Sequence, residues 1–373
     1  MTTTRRRVLA NLLGLAAAPA LAVLLSGCPN TANDANNGNA TPAPAVNPKT
    51  ISAPTPAGRK IKAGLVTDTG GIGDKSFNAA ANEGMKRAQT ELGAEIKVTE
   101  SKQAADYVGN LTRFAQNGYD VVFAVGFLMQ DALKEVAPKF PNVRFAIVDG
   151  DAPPNAPNCV SLKFKEEEGS FLAGALAGTV TKTNKIGFVG GMEVPLIKKF
   201  EAGYKAGART TNPKITFVEG YAGNWTDPQK GQELAISQMG AGADIIYQAA
   251  GQTGLGVITA VKNKGEGFYA IGVDRDQDGE APGRILTSMV KGVDTAVFDT
   301  CKSVADGAFQ PGAKVFGLKE NGVGLSEMKY TKDKIPAAAL AKVDALKQQI
   351  IAGTLKPPTT MDELAAFKAP AAK

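Results

Sequence analysis

From Ile61 onward, short apolar runs alternate with longer stretches of helical spacing. The runs IKAGLVT, DVVFAVG and VRFAIVDG are rich in β-branched residues. Between the runs lie stretches such as FNAAANEGMKRAQTEL, in which apolar residues recur every three or four positions. Apolar strands that alternate with helices predict parallel sheets whose two faces are both covered. We therefore predict an α/β fold.

The alternation occurs in two successive runs, which predicts two similar lobes. The first run ends with the strand CVSLKF, and the second ends with FYAIGVD; RILTSMV and the helix VDTAVFDTCKSVADG then close the body. Ligands of open α/β sheets bind beyond the carboxyl ends of the strands. The polar or glycine residues at strand ends come from both runs, and they are Asp68, Asp149, Gly251 and Asp274. Their distribution favours a ligand held in a cleft between the lobes.

The N-terminus has the layout of an export signal. Three arginines precede an apolar stretch that ends in LSGC, residues 25–28, which resembles the lipobox of bacterial lipoproteins. We predict that residues 1–27 are removed and that Cys28, once lipidated, is the first mature residue. The alternative is a transmembrane helix, but Pro19 interrupts the apolar run, which is short for a bilayer span. The run TRRRVL also resembles a twin-arginine signal, so the export route stays open.

Residues 28–60 are predicted to be a flexible tether. They are rich in Asn, Ala, Pro and Thr and show no apolar period. Such a segment cannot bury enough apolar surface to offset the entropy lost on ordering. A tether of this kind would hold a soluble body near a membrane without inserting it.

The composition excludes several classes of function. The 373 residues suffice for two domains, and 43% hydrophobic with 21% charged residues is typical of a globular protein. The chain has no histidine, which excludes Ser-His-Asp and Cys-His catalysis and a His-ligated zinc site. Without the three arginines of the signal, 39 basic residues stand against 36 acidic ones. These basic residues are scattered, so nucleic acid is not an expected partner. The sequence leaves open whether Cys159 and Cys301 form a disulfide.

The turn TDTGGIGDKSFN, residues 67–78, lies where a phosphate-binding loop would follow the first strand. A Walker loop ending at Lys75 would need glycines where Thr69 and Asp74 stand. The dinucleotide pattern begins with two glycines but meets Ser76 at its third. The turn is therefore not a phosphate loop, and its residues alone do not distinguish a simple helix start from a ligand contact.

The stretch DRDQDGE, residues 274–280, mimics the start of a calcium-binding loop. Its twelfth position, however, is Ile285 rather than a bidentate glutamate, and the stretch follows a strand instead of a helix. We expect Asp276 and Asp278 to lie in a solvated turn. We expect neither a metal nor a cofactor.

Seven stretches match a known family in order and spacing. They are TDTGGIGDKSFN, KEEEGSFLAGALAG, KIGFVGGMEVPLIKKFEAGYKAG, GNWTDPQKGQELA, AAGQTGLGV, AIGVDRDQ and ILTSMVKGVD. The chain thereby resembles the basic membrane protein family of substrate-binding lipoproteins, whose best-known members are purine nucleoside receptors of ABC importers. The resemblance covers roughly residues 61 to 300, nearly the whole predicted body.

The resemblance implies a type I periplasmic-binding-protein fold, in which two Rossmann-like lobes close on a ligand. Crossings between the lobes would lie near CVSLKF and RILTSMV, with residues 61–160 and 285–373 in lobe 1 and residues 161–284 in lobe 2. It also implies a monomer that delivers its ligand to a permease and an ATPase. The lipid on Cys28 would anchor it in the cell envelope, at the outer face of the cytoplasmic membrane or in the periplasm.

The resemblance assigns one end of the cleft to a nucleoside base. By position, Phe77 and Trp225 would stack on the two faces of the base; relatives commonly have phenylalanine where Trp225 stands. The glycines of residues 67–78 would let the backbone approach a flat, neutral ligand. The polar residues implied at the base edge are Asp68, Ser76, Asn78 and Asp149. Either aromatic residue, taken alone, also suits a protein core.

The other end of the cleft is assigned to the ribose. Asp274 would accept hydrogen bonds from two vicinal hydroxyls, a natural use of a carboxylate. Lys291 would lie near the sugar, and Gly251 would contact it through the backbone. This chain departs from its relatives at Gln252, where a second glycine is common, and a side chain there would narrow the sugar pocket.

Three other functions compete with nucleoside import. A riboflavin receptor would use the same fold, since riboflavin also joins a flat ring to a hydroxyl-bearing chain. A nucleoside hydrolase would need carboxylates as its catalytic groups, but the sequence offers no activated nucleophile, and we expect no catalytic residues. A signalling or adhesion lipoprotein would keep the fold without transport.

Overall fold

Two six-stranded sheets organise residues 60–369, which are the residues that the computed structural model describes. In the first sheet all strands are parallel, in the order β11-β5-β4-β3-β1-β2. The strands of the first sheet are β1 (Lys62–Thr67), β2 (Glu95–Glu100), β3 (Val121–Val125), β4 (Arg144–Val148), β5 (Cys159–Phe164) and β11 (Gly312–Phe316). The predicted signal peptide, Cys28 and residues 28–59 of the tether lie outside the described residues.

The second sheet has the order β12-β10-β9-β8-β6-β7, and only β12, paired with β10, runs antiparallel to its neighbour among the described strands. Its strands are β6 (Lys185–Gly190), β7 (Thr216–Tyr221), β8 (Ile245–Ala249), β9 (Tyr269–Asp274), β10 (Ile285–Lys291) and β12 (Val323–Leu325). In both lobes the strands of the sheet thus alternate with helices along the chain, as the pattern of apolar residues predicts.

Helices cover the two sheets. They are α1 (Phe77–Leu92), α2 (Asp106–Gln116), α3 (Gln130–Val136), α4 (Glu166–Val180), α5 (Pro195–Thr211), α6 (Pro228–Gly240), α7 (Gln252–Lys264), α8 (Val293–Ala305), α9 (Ala337–Ile351) and α10 (Met361–Ala366). Because helices lie on both faces, every residue of β3 and β8 is buried, whereas the edge strand β2 exposes its charged residues. None of the helices between residues 60 and 369 combines the length and apolar character that a bilayer crossing requires.

The lobe boundary differs from the sequence-based assignment at two strands, β10 and β12. The sequence analysis places residues 285–373 in lobe 1, but β10 pairs in parallel with β9 and belongs to the second sheet. The chain returns to the first lobe only at α8, which packs on α1. The physical reason is the short connection from β9 to β10, because strands that follow each other closely in the chain usually lie side by side in one sheet.

Strands and helices also continue beyond α8, the last element that the sequence analysis predicts. The strand β11 joins the first sheet next to β5, and β12 joins the second next to β10. The helix α9 then packs on α4, and α10 packs on α5. The strand β12 has three residues and β11 is largely exposed, so neither carries a strong apolar signal.

The helices α4 and α5 approach each other closely because glycines face the contact. A Cβ added at Gly174 would lie 1.9 Å from the backbone oxygen of Tyr204, and one at Gly207 would lie 1.9 Å from that of Phe171. A Cβ at Gly203 would likewise lie 2.4 Å from a backbone oxygen of α4. Nearly all of α4 is buried. This contact therefore holds α4, the first helix after the chain leaves β5, against the second lobe.

We expect Gly207→Ala to lower the free energy of unfolding. Its Cβ would strike the backbone of Phe171, which cannot move unless the helices part. Overpacking of this kind costs about 1–3 kcal/mol of stability. This cost exceeds the roughly 0.5–1 kcal/mol by which alanine stabilises a helix relative to glycine. Urea unfolding measures the change. The matched control is Gly109→Ala in α2, where an added Cβ meets no atom within 4 Å and stability should hold or rise. Equal stability of both variants would contradict the close contact.

Candidate functional site

A cavity lies between the carboxyl ends of the two sheets. It contains about 560 Å³ of space free of protein atoms, part of it open to solvent. The predicted site residues on its wall are Asp68, Phe77, Asn78, Asp149, Trp225, Gly251, Asp274 and Lys291. They come from both lobes. The structure thus brings these eight residues together at one cavity, whereas Ser76 does not line it.

The turn before α1 is organised by Asp74. Its carboxylate accepts hydrogen bonds from the backbone nitrogens of Ser76, Asn78 and Ala79 at 3.0, 2.7 and 3.0 Å. These are the nitrogens that a helix start leaves unpaired, so Asp74 acts as the cap of α1. Burial raises the pKa of Asp74 to about 6, although the three backbone donors oppose the shift. The need for a cap explains an aspartate in a glycine-rich turn, and the sequence analysis did not anticipate it.

Asp68 and Asn78 form a pair on the wall beside this cap. The side-chain nitrogen of Asn78 donates to Asp68 Oδ1 at 2.8 Å and to Asp74 Oδ2 at 3.1 Å. Asp68 Oδ1 also accepts from the backbone nitrogen of Gly70 at 2.9 Å. Burial raises the pKa of Asp68, and the bonds from Asn78 and Gly70 oppose that rise.

Ser76 joins the two lobes instead of facing the cavity. Its hydroxyl donates to Asp274 Oδ2 at 2.5 Å, and both residues are buried. At the rim of the cleft, Lys75 forms an ion pair with Glu280 at 2.6 Å, and Gln277 donates to the backbone oxygen of Lys75. Because each of these contacts joins the first lobe to the second, they hold the lobes together at this side of the cleft.

Lys291 occupies the centre of a buried charge cluster. Its Nζ lies 2.5 Å from Asp149 Oδ2, 3.5 Å from Asp274 Oδ1 and 3.8 Å from Glu166 Oε1. It also lies 4.7 Å from the centre of the Phe77 ring, within the range of a cation–π contact. Asp149 follows β4 and Lys291 ends β10, so this cluster also crosses between the lobes.

The charge state of the cluster follows from burial and proximity. Burial lowers the pKa of Lys291, but the carboxylates of Asp149, Asp274 and Glu166 outweigh it and the net shift is upward, so the amine stays protonated. Burial raises the pKa of Asp149 to about 7 against the pull of Lys291. Asp149 and Asp274 both have positive φ, at 60° and 63°, in the left-handed region that aspartate enters more readily than most non-glycine residues.

Aromatic rings form much of the cavity wall. Trp225 packs against Gly191, where an added Cβ would come within 2.2 Å of the indole ring. Phe127 meets Trp225 edge to face, with ring centres 6.5 Å apart. The indole nitrogen of Trp225 is buried and has no hydrogen-bond partner among residues 60–369. Phe77 and Phe200 also line the cavity.

The comparisons with known proteins agree with this architecture. A family model described as "ABC transporter substrate-binding protein PnrA-like", of the family Bmp, matches residues 61–360. The chain belongs to the Bmp family. Its resemblance to basic membrane proteins is thereby confirmed, and the protein is an ABC transporter substrate-binding protein.

Several relatives of this Bmp protein are curated. A CD4+ T-cell-stimulating antigen of Listeria monocytogenes is 40% identical, over 79% of this chain and 87% of the relative. A protein of Lactococcus lactis subsp. cremoris named ABC transporter nucleoside-binding protein BmpA is 37% identical, over 78% and 88%. Basic membrane protein B of Borreliella burgdorferi is 34% identical, over 74% and 84%.

Solved structures confirm the predicted fold class. An ABC transporter solute-binding protein from Aeropyrum pernix K1 superposes on the Bmp chain with a TM-score of 0.76 and 30% identity, over 82% of this chain and 96% of that one. The Lac repressor superposes with a TM-score of 0.55 and 16% identity, over 73% and 82%, a similarity of fold alone. Like the solute-binding protein from Aeropyrum pernix K1, the chain has the type I fold of two α/β lobes.

The sequence analysis missed part of the wall of this Bmp protein. The wall residues that it did not assign to the site include Asp74, Phe127, Leu196, Ile197 and Phe200. Phe127 follows Gly126 at the carboxyl end of β3, so the strand-end rule could have found it. Phe200 lies within α5 and resembles any core residue of that helix. Gln252, the departure from the relatives, is the first residue of α7 and does line the cavity.

Residues 274–280, which mimic the start of a calcium-binding loop, contribute a buried hydrogen bond to the fold. Asp278 is buried, contrary to the expected solvated turn, and its Oδ2 accepts from the backbone nitrogen of Lys329 at 2.8 Å. Asp276 is exposed. In the described part of the chain, no group of three or more acidic or cysteine side chains could hold a metal ion.

Cys159 and Cys301 are both buried free thiols, and burial raises the pKa of each to about 12.

Proposed function

We propose that this protein is a lipid-anchored nucleoside receptor of an ABC importer, with purines preferred. The observation that carries the proposal is one cavity walled by Phe77 and Trp225 together with carboxylates from both lobes. Flat bases stack on aromatic rings, at about 1–3 kcal/mol per base in single-strand binders. A purine offers a larger stacking face than a pyrimidine and gains more. The name of the Lactococcus lactis relative, a nucleoside-binding protein, agrees with a nucleoside ligand.

The ribose end of the cavity would be the charge cluster. Asp274 supplies carboxylate oxygens, which accept hydrogen bonds from vicinal hydroxyls. Asp149, which the sequence analysis assigns to the base edge, shares Lys291 with Asp274 and would contribute at this end instead. The cation of Lys291 is already surrounded by three carboxylates. A phosphate would therefore meet net negative charge rather than a free cation. The site suits a nucleoside and repels a nucleotide.

Calorimetric titration tests the ligand class. We expect adenosine, guanosine or inosine to bind more tightly than cytidine, and AMP to bind more weakly than adenosine. Riboflavin is included because its flat ring and hydroxyl chain suit the same wall. Tighter binding of AMP than of adenosine, or binding of riboflavin without any nucleoside, would overturn the proposal. Mass spectrometry of ligand released from the purified protein provides an independent check.

Binding without turnover is part of the proposal. Ligand would shift the lobes toward the closed arrangement, in which Lys75 pairs with Glu280 and Ser76 with Asp274. The receptor would act as a monomer and pass its ligand to a permease driven by an ATPase. Incubation with purine nucleosides should release no free base. Release of base in proportion to protein would favour the hydrolase instead.

We expect Cys28→Ala to abolish lipid attachment while leaving the body intact. The lipobox-like LSGC at residues 25–28 and the polar tether motivate this prediction. Labelling with a radioactive or clickable fatty acid measures the lipid, and membrane fractionation measures the anchor. Ser26→Ala serves as the control, because small residues suit that position. Unchanged acyl labelling of Cys28→Ala would contradict the anchor.

A further inference from the structure

The amide of Asn78 has an orientation that its neighbours dictate. Its terminal nitrogen lies between two carboxylate oxygens, Asp68 Oδ1 at 2.8 Å and Asp74 Oδ2 at 3.1 Å. Carboxylate oxygens accept hydrogen bonds, so the group between them must be the NH₂. Both amide hydrogens are thereby used. What Asn78 retains for a ligand is its oxygen alone.

That oxygen is buried and unpaired. Asn78 lines the cavity, and its Oδ1 has no hydrogen-bond partner among the described residues. An unpaired buried acceptor is costly, so a ligand that donates a hydrogen bond to Oδ1 is favoured. Asp74 cannot turn away to release the amide, because three backbone nitrogens of the turn hold its carboxylate.

Asp68 places a second acceptor on the same wall. Its Oδ1 is used by Gly70 and Asn78. Its Oδ2 lies on the side of Gly126, another cavity residue, where an added Cβ would be 3.1 Å away. Asp68 and Asn78, which both line the cavity with Phe77, therefore each carry an oxygen that accepts no hydrogen bond within residues 60–369, namely Asp68 Oδ2 and Asn78 Oδ1.

We propose that this acceptor pair selects guanine among the purines, with Asp74 as the positioning residue that holds the Asn78 amide. The proposal rests on the nucleoside function proposed above and names the base. Guanine presents two adjacent donors at one edge, N1–H and the 2-amino group. Hypoxanthine keeps only N1–H. Adenine places the lone pair of N1 beside its amino group, so one acceptor of the wall would face another acceptor.

The test begins with the unmodified protein and four ligands. We expect guanosine to bind about 10- to 100-fold more tightly than adenosine, the range that an unpaired buried acceptor corresponds to. Inosine should lie between them. The analogue 1-methylguanosine, which lacks the N1 donor, should bind more weakly than guanosine. These measurements need no variant, so they decide the matter even if a substitution impairs folding.

Asp68→Asn is the decisive variant. Gly70 and Asn78 both donate to the Oδ1 position, so the new amide must place its oxygen there and its NH₂ where Oδ2 was. One acceptor of the wall becomes a donor that suits adenine N1. The ratio of guanosine to adenosine affinity should fall at least about tenfold. Asp131→Asn, on the exposed side of α3, should leave the ratio unchanged.

The outcomes separate the two proposals. If adenosine binds the unmodified protein as tightly as guanosine does, the selection of guanine is wrong, while nucleoside binding stands. If Asp68→Asn leaves the guanosine to adenosine ratio unchanged, the acceptor pair does not read the base. If no nucleoside binds, the proposed function itself is wrong and the base selection is wrong with it.

Discussion

Replacing Lys291 with methionine is expected to lower the free energy of unfolding by about 3–5 kcal/mol, the cost of removing one partner from a buried ion pair. Methionine nearly matches the length of the lysine stem but carries no charge. Asp149 and Asp274 would then lose their buried cation. Glu166 would keep its second partner, Lys199, at 2.7 Å, so the cost falls mainly on the two aspartates.

The loss at Lys291 should depend on pH with a known sign. Burial raises the pKa of Asp149 to about 7 even beside Lys291, and without the cation the pKa rises further. Below that pKa the carboxyl is protonated and needs no partner. The deficit of Lys291→Met should therefore be larger at pH 8 than at pH 5.

Urea unfolding of both proteins at the two pH values measures this effect. The control is Lys302→Met, which breaks the pair with Asp306, where both side chains are 52% exposed. Surface pairs contribute about 0–1 kcal/mol, so that variant should stay close to the parent. A Lys291→Met protein as stable as the control would show that the cluster does not hold the lobes.

Removing both Phe77 and Trp225 is expected to cost most of the ligand affinity. Each ring should contribute about 1–3 kcal/mol if it stacks on the base, so each single alanine variant should weaken guanosine about 10- to 100-fold. The double variant should be weaker than either single one. Trp225 additionally has an unpaired indole nitrogen at the cavity, so its loss would also remove a hydrogen-bond donor.

Phenylalanine at position 225 separates these contributions. Trp225→Phe keeps a stacking face and removes the indole donor, and it restores the residue common in relatives. We expect it to retain more affinity than Trp225→Ala. The matched control is Phe217→Ala, a half-buried aromatic residue of β7 away from the cavity, which should leave affinity unchanged. An unaffected Trp225→Ala would remove the two-sided stack.

Closure and the buried cluster are physically linked. Lys291 contacts Asp149 across the lobes and Phe77 on the cavity wall. Ser76 contacts Asp274, which also lies beside Lys291. The groups that would bind the sugar thus also join the lobes, so ligand contacts and lobe contacts share the same carboxylates. This arrangement is expected of a receptor in which binding and closure are one equilibrium.

The sequence by itself determined the α/β class and which strand-end residues meet at the cavity. Strand and helix periods are local, and the helix α1 has the bounds that the pattern FNAAANEGMKRAQTEL indicates. Parallel strands bring their carboxyl ends to one edge, so Asp68, Asp149 and Asp274 could be placed near a cleft before any coordinates. The resemblance then added Phe77 and Trp225, whose types alone do not distinguish a ligand wall from a core.

Only the tertiary structure decided how these residues act on one another. Lys291 meets Asp149 across 142 positions, and Ser76 meets Asp274 across 198. No local pattern encodes such pairs, because they depend on how two separately built sheets face each other. The same holds for β10, whose sheet is set by pairing with β9. The orientation of the Asn78 amide likewise follows from two carboxylates that meet it only in the folded turn.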